Sequence, residues 1–176
     1  IDRFATQYRA RIRLVTGPQK GSTQNFIKLI EQAGPLAPFA ALCDQDDVWL
    51  PPKLARAVHI LKEIPPAIPA LYVTPTFICD QNLRLLRRSK HFRRPPSFSN
   101  ALVQSIGGGN TMVLNRAALD LVQETAKHAV GVKAHDWWIY QIVSGAGGGV
   151  KYDPMPLVLY RQHGTNQVGA NDTIIA

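Results

Sequence analysis

Short apolar runs alternate along the chain with segments that carry apolar residues on one helical face, and this alternation predicts an α/β fold. We expect strands at 11–15, 39–43, 70–74, 76–79, 111–114, 150–153 and 157–161. We expect helices at 22–33, 52–63, 98–103, 116–128 and 135–143, and the end of another at 1–8. The pattern therefore predicts a single domain over residues 1–176, with a mainly parallel sheet flanked by helices and a polar tail at about 165–176.

Some local details are also predicted. Ser22 or Thr23 is expected to cap the helix that follows it. The helix at 52–63 is expected to turn Leu54, Val58 and Leu61 toward the core. Cys43 and Cys79 lie in strand-like runs and are expected to be small buried core residues, with neither a disulfide nor a zinc site between them.

Three carboxylates, Asp44, Asp46 and Asp47, follow the apolar run 39–43, and Pro51-Pro52 then fits the first turn of a helix. An α/β sheet presents ligand groups where strands end. Oxygen ligands in such a turn suit Mg²⁺ or Mn²⁺ shared with a substrate phosphate. The alternative is a solvated acidic turn in which Asp47 lies near the N-cap of the next helix.

Two further motifs carry candidate chemistry. The glycine run in 107–111 lets backbone approach a ligand closely, although a tight turn explains it equally well. Asp136, followed by Trp137 and Trp138, stands at a predicted helix start. Burial against indole rings would raise the pKa of that carboxyl and make it a better base. The alternative is that Asp136 caps the helix and both tryptophans belong to the core.

A last motif follows the strand at 157–161, where Arg161 is suited to grip a phosphate and a neutral His163 to ligate a divalent metal. An isolated Arg-x-His is more often an exposed surface segment without a binding role. Its place near the end of a strand, like that of the acidic turn, makes it a candidate.

The formal net charge of +8 indicates an anionic partner or surface. Six of the cations lie between Arg84 and Arg94, a stretch without any acid. Nucleic acid, acidic lipid headgroups and a pyrophosphate-bearing substrate would each satisfy this stretch, and a solvated hairpin or loop is the alternative. No run approaches the roughly 18 apolar residues of a transmembrane helix, and the first residues lack the pattern of a signal peptide.

In order and spacing, these motifs resemble those of the family 2 inverting glycosyltransferases of GT-A fold, most closely their bacterial rhamnosyltransferase-like branch. The segments that carry the resemblance are DQDDVW at 44–49 with Lys53, GGNT at 108–111, HDWW at 135–138 and YRQHGTN at 160–166.

The resemblance implies a role for each motif. Asp44 and Asp46, with His163, would hold Mg²⁺ or Mn²⁺ on the pyrophosphate of the donor. Asp136 would be the catalytic base that takes the acceptor's hydroxyl proton, so that a single displacement inverts the anomeric carbon. The remaining positions would bind substrate: Asp44, Lys53, Gly108, Gly109, Asn110, Trp137, Trp138 and Arg161.

The resemblance also implies partners and a place in the cell. The donor would be a dTDP- or UDP-sugar, with rhamnose as the sugar this branch suggests. The acceptor would be a glycan or lipid-linked glycan of bacterial cell-surface polysaccharide synthesis. The enzyme would be cytoplasmic, with a peripheral contact to the inner face of the cell membrane through Arg84–Arg94, and nucleic acid would not be a partner.

The chain departs from the family in one respect, because it lacks the strand, helix and strand that come first in those enzymes. We therefore expect an amino-terminally truncated GT-A domain that binds nucleotide sugar poorly and turns over slowly or not at all. It should also expose an apolar sheet edge, which invites homodimerisation or strand exchange. Two other hypotheses stay open: an inactive domain that serves as a binding or assembly module, and a metal-dependent nuclease or nucleic-acid binder.

Overall fold

A computed structural model of the chain describes residues 6–8, 12–35 and 37–163. Its helices are α1 (Ser22–Glu31), α2 (Lys53–Leu61), α3 (Phe98–Ala101), α4 (Arg116–Ala126) and α5 (His135–Gly145), with a 3₁₀ turn at Gly109–Thr111. Its strands are β1 (Phe39–Ala41), β2 (Val48–Trp49), β3 (Ala70–Val73), β4 (Phe77–Cys79), β5 (Leu85–Arg88), β6 (Val113–Asn115), β7 (Gly149–Tyr152) and β8 (Val158–Arg161).

The strands form two small mixed sheets, with the orders β1-β6-β3-β7 and β2-β8-β4-β5. Only β3–β7 and β4–β8 pair in parallel among the strand pairs of the described residues, and the other four pairs are antiparallel. The α/β class is confirmed, but the prediction of a mainly parallel sheet was wrong. Strand β6 runs against both of its neighbours, and β4 turns directly back into β5 without a crossover helix.

The first sheet is the centre of the core, because helices cover both of its faces. All four residues of β3 are fully buried, and successive side chains of a strand point to opposite faces. Tyr72 packs with Ala57 and Leu61 of α2. Leu71 and Val73 belong to the larger cluster formed with α1, α4 and α5. This layer holds β1 and β6, and thereby the segments that follow β1 and precede β6, in fixed positions.

Some local predictions were wrong. Residues 12–15 form no strand, and Leu14 is 60% exposed. Of the three residues expected on the inner face of α2, Leu61 is buried as predicted, but Val58 is half-buried and Leu54 is 44% exposed. Lys53 and Ala57 are buried in their place. The inner face of α2 therefore consists of Lys53 and the residues four and eight positions after it. An apolar pattern does not reveal this face, because its first residue is a lysine.

Other predictions concern the helix cap, the cysteines and the chain ends. Gly21, with φ of 89°, is the N-cap of α1 and no side chain caps the helix, whereas the Thr23 hydroxyl donates to the carbonyl of Lys133. Cys79 is buried as predicted, but Cys43 is exposed. The polar tail and most of the expected helix at 1–8 lie outside the described residues. None of the described helices is long and apolar enough to cross a membrane.

Candidate active site

The acidic turn lies between β1 and β2, and Asp47 connects it to two distant segments. Its Oδ2 accepts a short hydrogen bond from the Asn110 side chain. Its Oδ1 accepts the backbone N–H of Arg161 at 3.0 Å. Helix α2 has Pro52 as its N-cap, so Asp47 does not cap it, and the alternative of a simple capping turn is wrong. The carboxylate instead joins the 3₁₀ turn and the end of β8 to the acidic turn.

Asp46 is held by the same end of β8. Its Oδ2 shares a 2.7 Å hydrogen bond with Nε2 of His163, and its carbonyl accepts from Nε of Arg161 at 2.8 Å. The Arg161 guanidinium also donates to the carbonyl of Gln81 at 2.8 Å. The predicted proximity of the acidic turn to the Arg-x-His segment is therefore present.

The three predicted metal ligands do not converge. Among the described residues no group of three His, Cys, Asp or Glu side chains is placed to hold a metal ion. Asp46 and His163 form a pair, but Asp44 does not join them. The Asp46 carboxylate is directed to His163 and that of Asp47 to Asn110 and the backbone of Arg161. A pair of this kind suits a divalent cation that takes its remaining ligands from water and a substrate phosphate.

Asp44 is a carboxyl at which negative charge is unfavourable. Burial, followed by the charges of Asp47, Asp46 and Asp136, raises its pKa to about 6. Burial likewise raises the pKa of Asp47, an effect that the hydrogen bonds from Asn110 and Arg161 reduce. The acidic turn therefore concentrates negative potential beside Asp136, which is the kind of environment that favours a bound cation.

Asp136 lies in the first turn of α5, where its carboxylate accepts two backbone N–H groups. Oδ1 accepts from Trp137 at 2.6 Å, and Oδ2 accepts from Gly109 at 3.2 Å. The N-cap of the helix is Ala134, so Asp136 does not cap it. These two bonds fix the carboxylate and leave other lone pairs of its oxygens for a substrate hydroxyl.

The glycines of the run pack closely against other protein groups, which occupy the space that larger side chains would need. A Cβ on Gly109 would lie 2.4 Å from Nε2 of His135, and one on Gly107 would lie 2.6 Å from a methyl carbon of Val73. His135 in turn stacks on Phe26 of α1, with ring centroids 4.2 Å apart. His135 belongs to the HDWW motif, but the sequence does not predict this stack on Phe26. Its Nε2 is buried and has no hydrogen-bond partner in the part of the chain that the structure describes.

The two tryptophans are placed differently from the prediction. Trp138 is 9% exposed and packs in the core, so it offers little ring surface to a ligand. Trp137 is half-buried, and its Nε1 donates to the carbonyl of Ala101 at 2.6 Å. That bond ties α5 to α3, and Trp137 is the tryptophan of the two that retains an accessible surface.

Lys53 is fully buried, which the sequence did not predict. Its ammonium lies 3.8 Å from the ring centroid of Trp49, in contact with the π face, and has no hydrogen-bond partner among the described residues. Burial lowers the pKa of Lys53 to about 8. Lys53 therefore does not reach a substrate directly, and it supports the acidic turn from the side of Trp49 and Cys43.

One curated protein matches nearly the whole chain. The chain is 26% identical over 178 residues to dTDP-rhamnosyl transferase RfbG of Shigella flexneri. The match covers 97% of this chain and 60% of that protein, so the chain spans about 60% of the length of its relative. No protein-family model matches the chain.

Proposed function

We propose that this chain is a glycosyltransferase domain that moves a sugar from a nucleotide-diphosphate donor to a glycan acceptor. The observation that carries the proposal is the convergence of three distant segments on the acidic turn: Asn110, Asp136 and the segment with Arg161 and His163, whose Arg161 lies 115 residues from Asp46 along the chain. Similarity to a dTDP-rhamnosyl transferase supports the same class of reaction and suggests dTDP-rhamnose as the donor, ahead of a UDP-sugar.

In the reaction that we propose, Asp136 is the base. An acceptor hydroxyl attacks the anomeric carbon while its proton passes to the Asp136 carboxylate, and the bond from that carbon to the donor diphosphate breaks. Attack from the opposite face inverts the anomeric configuration. The N–H groups of Gly109 and Trp137 hold the carboxylate in position, and a positioned base of this type contributes about 10²–10⁴ to the rate.

The acidic turn would bind the donor. Asp46 and His163 are the residues that would hold Mg²⁺ or Mn²⁺, which, when bound, neutralises the diphosphate and stabilises the leaving group. Asp44, close enough to Asp136 for their charges to interact, would face the sugar. Arg161 would hold the turn in place through its bonds to Asp46 and Gln81.

We place this activity in bacterial cell-surface polysaccharide synthesis, in the cytoplasm at the inner face of the cell membrane. This part of the proposal follows from the family resemblance of the motifs at 44–49, 135–138 and 160–166, while the relative's name supports rhamnosyl transfer in a bacterium. A lipid-linked glycan is the acceptor that this location favours.

The first test is calorimetric titration of the chain with Mn²⁺ together with dTDP or UDP. We expect saturable binding that requires the metal and that Asp46→Ala abolishes. Asp120→Ala is the matched control, because that carboxylate is 60% exposed on α4. Binding that persists in Asp46→Ala, or that needs no metal, would contradict the assignment of the acidic turn.

The second test separates donor binding from chemistry. We expect Asp136→Asn to retain nucleotide binding and to reduce sugar transfer by at least about 100-fold. Proton NMR of the anomeric signal in the product gives the stereochemistry. Retention of configuration, or full activity of Asp136→Asn, would contradict the role proposed for this residue.

A further inference from the structure

The β4–β5 hairpin presents an unusual exposed edge. Strand β5 pairs only with β4 and is the edge strand of the second sheet, within the described residues. All four of its residues are exposed, and Leu85 and Leu86 are each 61% exposed. Adjacent side chains on a regular strand point to opposite faces. The pairing is irregular at the leucine pair, because Ile78 lies opposite Arg87 and the next residue, Cys79, lies opposite Leu85.

Positive charge surrounds the leucine pair. The cations that accompany it are all exposed: Arg84, Arg87, Arg88, Lys90, Arg93 and Arg94. Asp80 is the nearest acid that precedes them in the sequence, and its carboxylate accepts the backbone N–H groups of Asn82 and Arg84 at 2.8 and 2.9 Å. That carboxylate therefore shapes the turn of the hairpin.

We propose that this hairpin docks the protein on an anionic lipid bilayer, with Leu85 and Leu86 in the interfacial region and the cations on the lipid phosphates. Charge complementarity selects an anionic partner. The leucine pair selects a bilayer over nucleic acid, because aliphatic side chains gain free energy only where an apolar phase receives them. Charges on an edge strand also block pairing with other chains, but that role does not require two exposed leucines.

The proposed contact with lipid goes beyond the transferase chemistry, and it is tested without measuring enzymatic turnover. The purified chain is sedimented with vesicles of phosphatidylcholine alone and with vesicles that contain phosphatidylglycerol. We expect binding only to the anionic vesicles, and its loss between 0.1 and 1 M salt, where the Debye length falls from about 10 to about 3 Å. Equal binding to neutral vesicles, or no binding, would overturn the proposal and leave the glycosyltransferase assignment untouched.

Charge variants locate the contact. Arg84→Gln with Arg93→Gln should weaken partitioning about 25-fold, since each cation near an anionic surface contributes about fivefold. Lys62→Gln with Lys127→Gln is the matched control, because both lysines are exposed elsewhere on the molecule. An equal loss in the two double variants would mean that net charge, and not the hairpin, binds the vesicles.

Apolar variants test the insertion. Leu85→Ser with Leu86→Ser should weaken partitioning about tenfold, whereas Val103→Ser with Val130→Ser, at positions 72% and 88% exposed, should leave it unchanged. Circular dichroism checks that all variants fold. Unchanged partitioning of the leucine variant would overturn the insertion.

A fluorescent label reports the depth directly. An environment-sensitive dye on Leu86→Cys, in a Cys43→Ser background, should shift its emission to the blue with anionic vesicles, while the dye on Lys62→Cys should not. Short duplex and single-stranded nucleic acids serve as competitors. Displacement of the chain from vesicles by nucleic acid, without a blue shift at position 86, would assign the surface to nucleic acid and overturn the proposal.

Discussion

At the scale of single residues, the Asp44 carboxyl carries a cost that a neutral side chain would remove. Its pKa rises from an ordinary 3.8 to about 6, so the folded state binds the proton more tightly than the unfolded state does. Stability therefore falls as the pH rises from about 4 to 6, and the full cost applies above that range. Two pKa units correspond to about 2–3 kcal/mol.

We therefore expect Asp44→Asn to stabilise the fold by about 2 kcal/mol at pH 8 and to have little effect near pH 3.5. Urea unfolding at both pH values measures the difference. Glu124→Gln, at an exposed side chain of α4, is the control and should change stability by less than about 0.5 kcal/mol at either pH. Destabilisation by Asp44→Asn at pH 8 would show that this carboxylate is satisfied in the fold.

Asp153 behaves in the opposite way. Burial favours its neutral form, but hydrogen bonds from the Arg56 guanidinium, the Met155 N–H and the Tyr72 hydroxyl outweigh burial and lower its pKa. The Tyr72 bond is 2.8 Å long, and the Asp153 side chain is almost completely buried. Because the pKa of Asp153 is lower in the folded state than its ordinary value of 3.8, the ionised carboxylate stabilises the fold at pH values above 3.8. This stability is lost as the pH falls through the pKa of the folded state.

Replacing this carboxylate tests the arrangement. We expect Asp153→Asn to cost about 2 kcal/mol at pH 7, because the bonds to a charged acceptor are lost. The difference from the parent should narrow as the pH falls below 3.8. Urea unfolding across this range measures it, with the exposed Glu63→Gln as a control. A cost that does not change with pH would mean that shape, and not charge, is what the site requires.

The candidate site residues were only partly predictable from the sequence. Residue type and the neighbouring elements were enough to identify three of the motifs. These are the carboxylates at a strand end, the acid at a helix start and the Arg-x-His segment. The burial of Lys53 depends on the rotational setting of α2, and the stack of His135 on Phe26 joins residues 109 apart in the chain. Neither is encoded in local spacing, so only the fold reveals them.

At the scale of elements, the 3₁₀ turn at Gly109–Thr111 and the start of α5 form one unit. The Gly109 N–H donates to Asp136, and the position of its absent Cβ lies against His135. A residue larger than glycine at position 109 would require the His135 imidazole or the backbone to move. The position of the candidate base therefore depends on the turn.

We expect Gly109→Ala to destabilise the fold by about 2 kcal/mol, because overpacking at a rigid contact costs roughly 1–3 kcal/mol. Gly34→Ala is the matched control, since no heavy atom lies within 4 Å of its added Cβ, and it should be neutral. Thermal unfolding gives both values. A neutral Gly109→Ala would show that His135 moves freely and that the turn does not fix Asp136.

Most elements followed from the sequence, because apolar period and proline or glycine boundaries are local signals. The strands at 70–73 and 77–79 and the helices α4 and α5 lie where they were expected. Strand direction was not predictable in the same way. Whether β6 runs parallel or antiparallel to β3 depends on the path of a connection whose length permits either. The segment at 12–15 has apolar residues, but none of the described strands pairs with it.

At the scale of the whole molecule, β1 is an edge strand of the first sheet, with no described strand on its outer side. It pairs only with β6 among the described strands. The N–H of Leu42 donates to the carbonyl of Met112, and the groups that face a partner alternate along an antiparallel strand. The N–H of Ala41 is therefore directed away from β6. Beside this edge lies an apolar groove of about 300 Å³, lined in part by Phe26 and Leu29.

An open strand edge beside an apolar groove favours pairing with a second chain, so we expect concentration-dependent dimerisation through β1. Sedimentation velocity between about 5 and 200 µM measures it. Ala41→Pro removes an outward N–H without breaking the bonds to β6 and should leave a folded monomer. Ala40→Pro, one position away, removes an inward N–H and should destabilise the monomer itself. If the parent chain stays monomeric throughout, the edge is closed in solution and pairing through β1 is wrong.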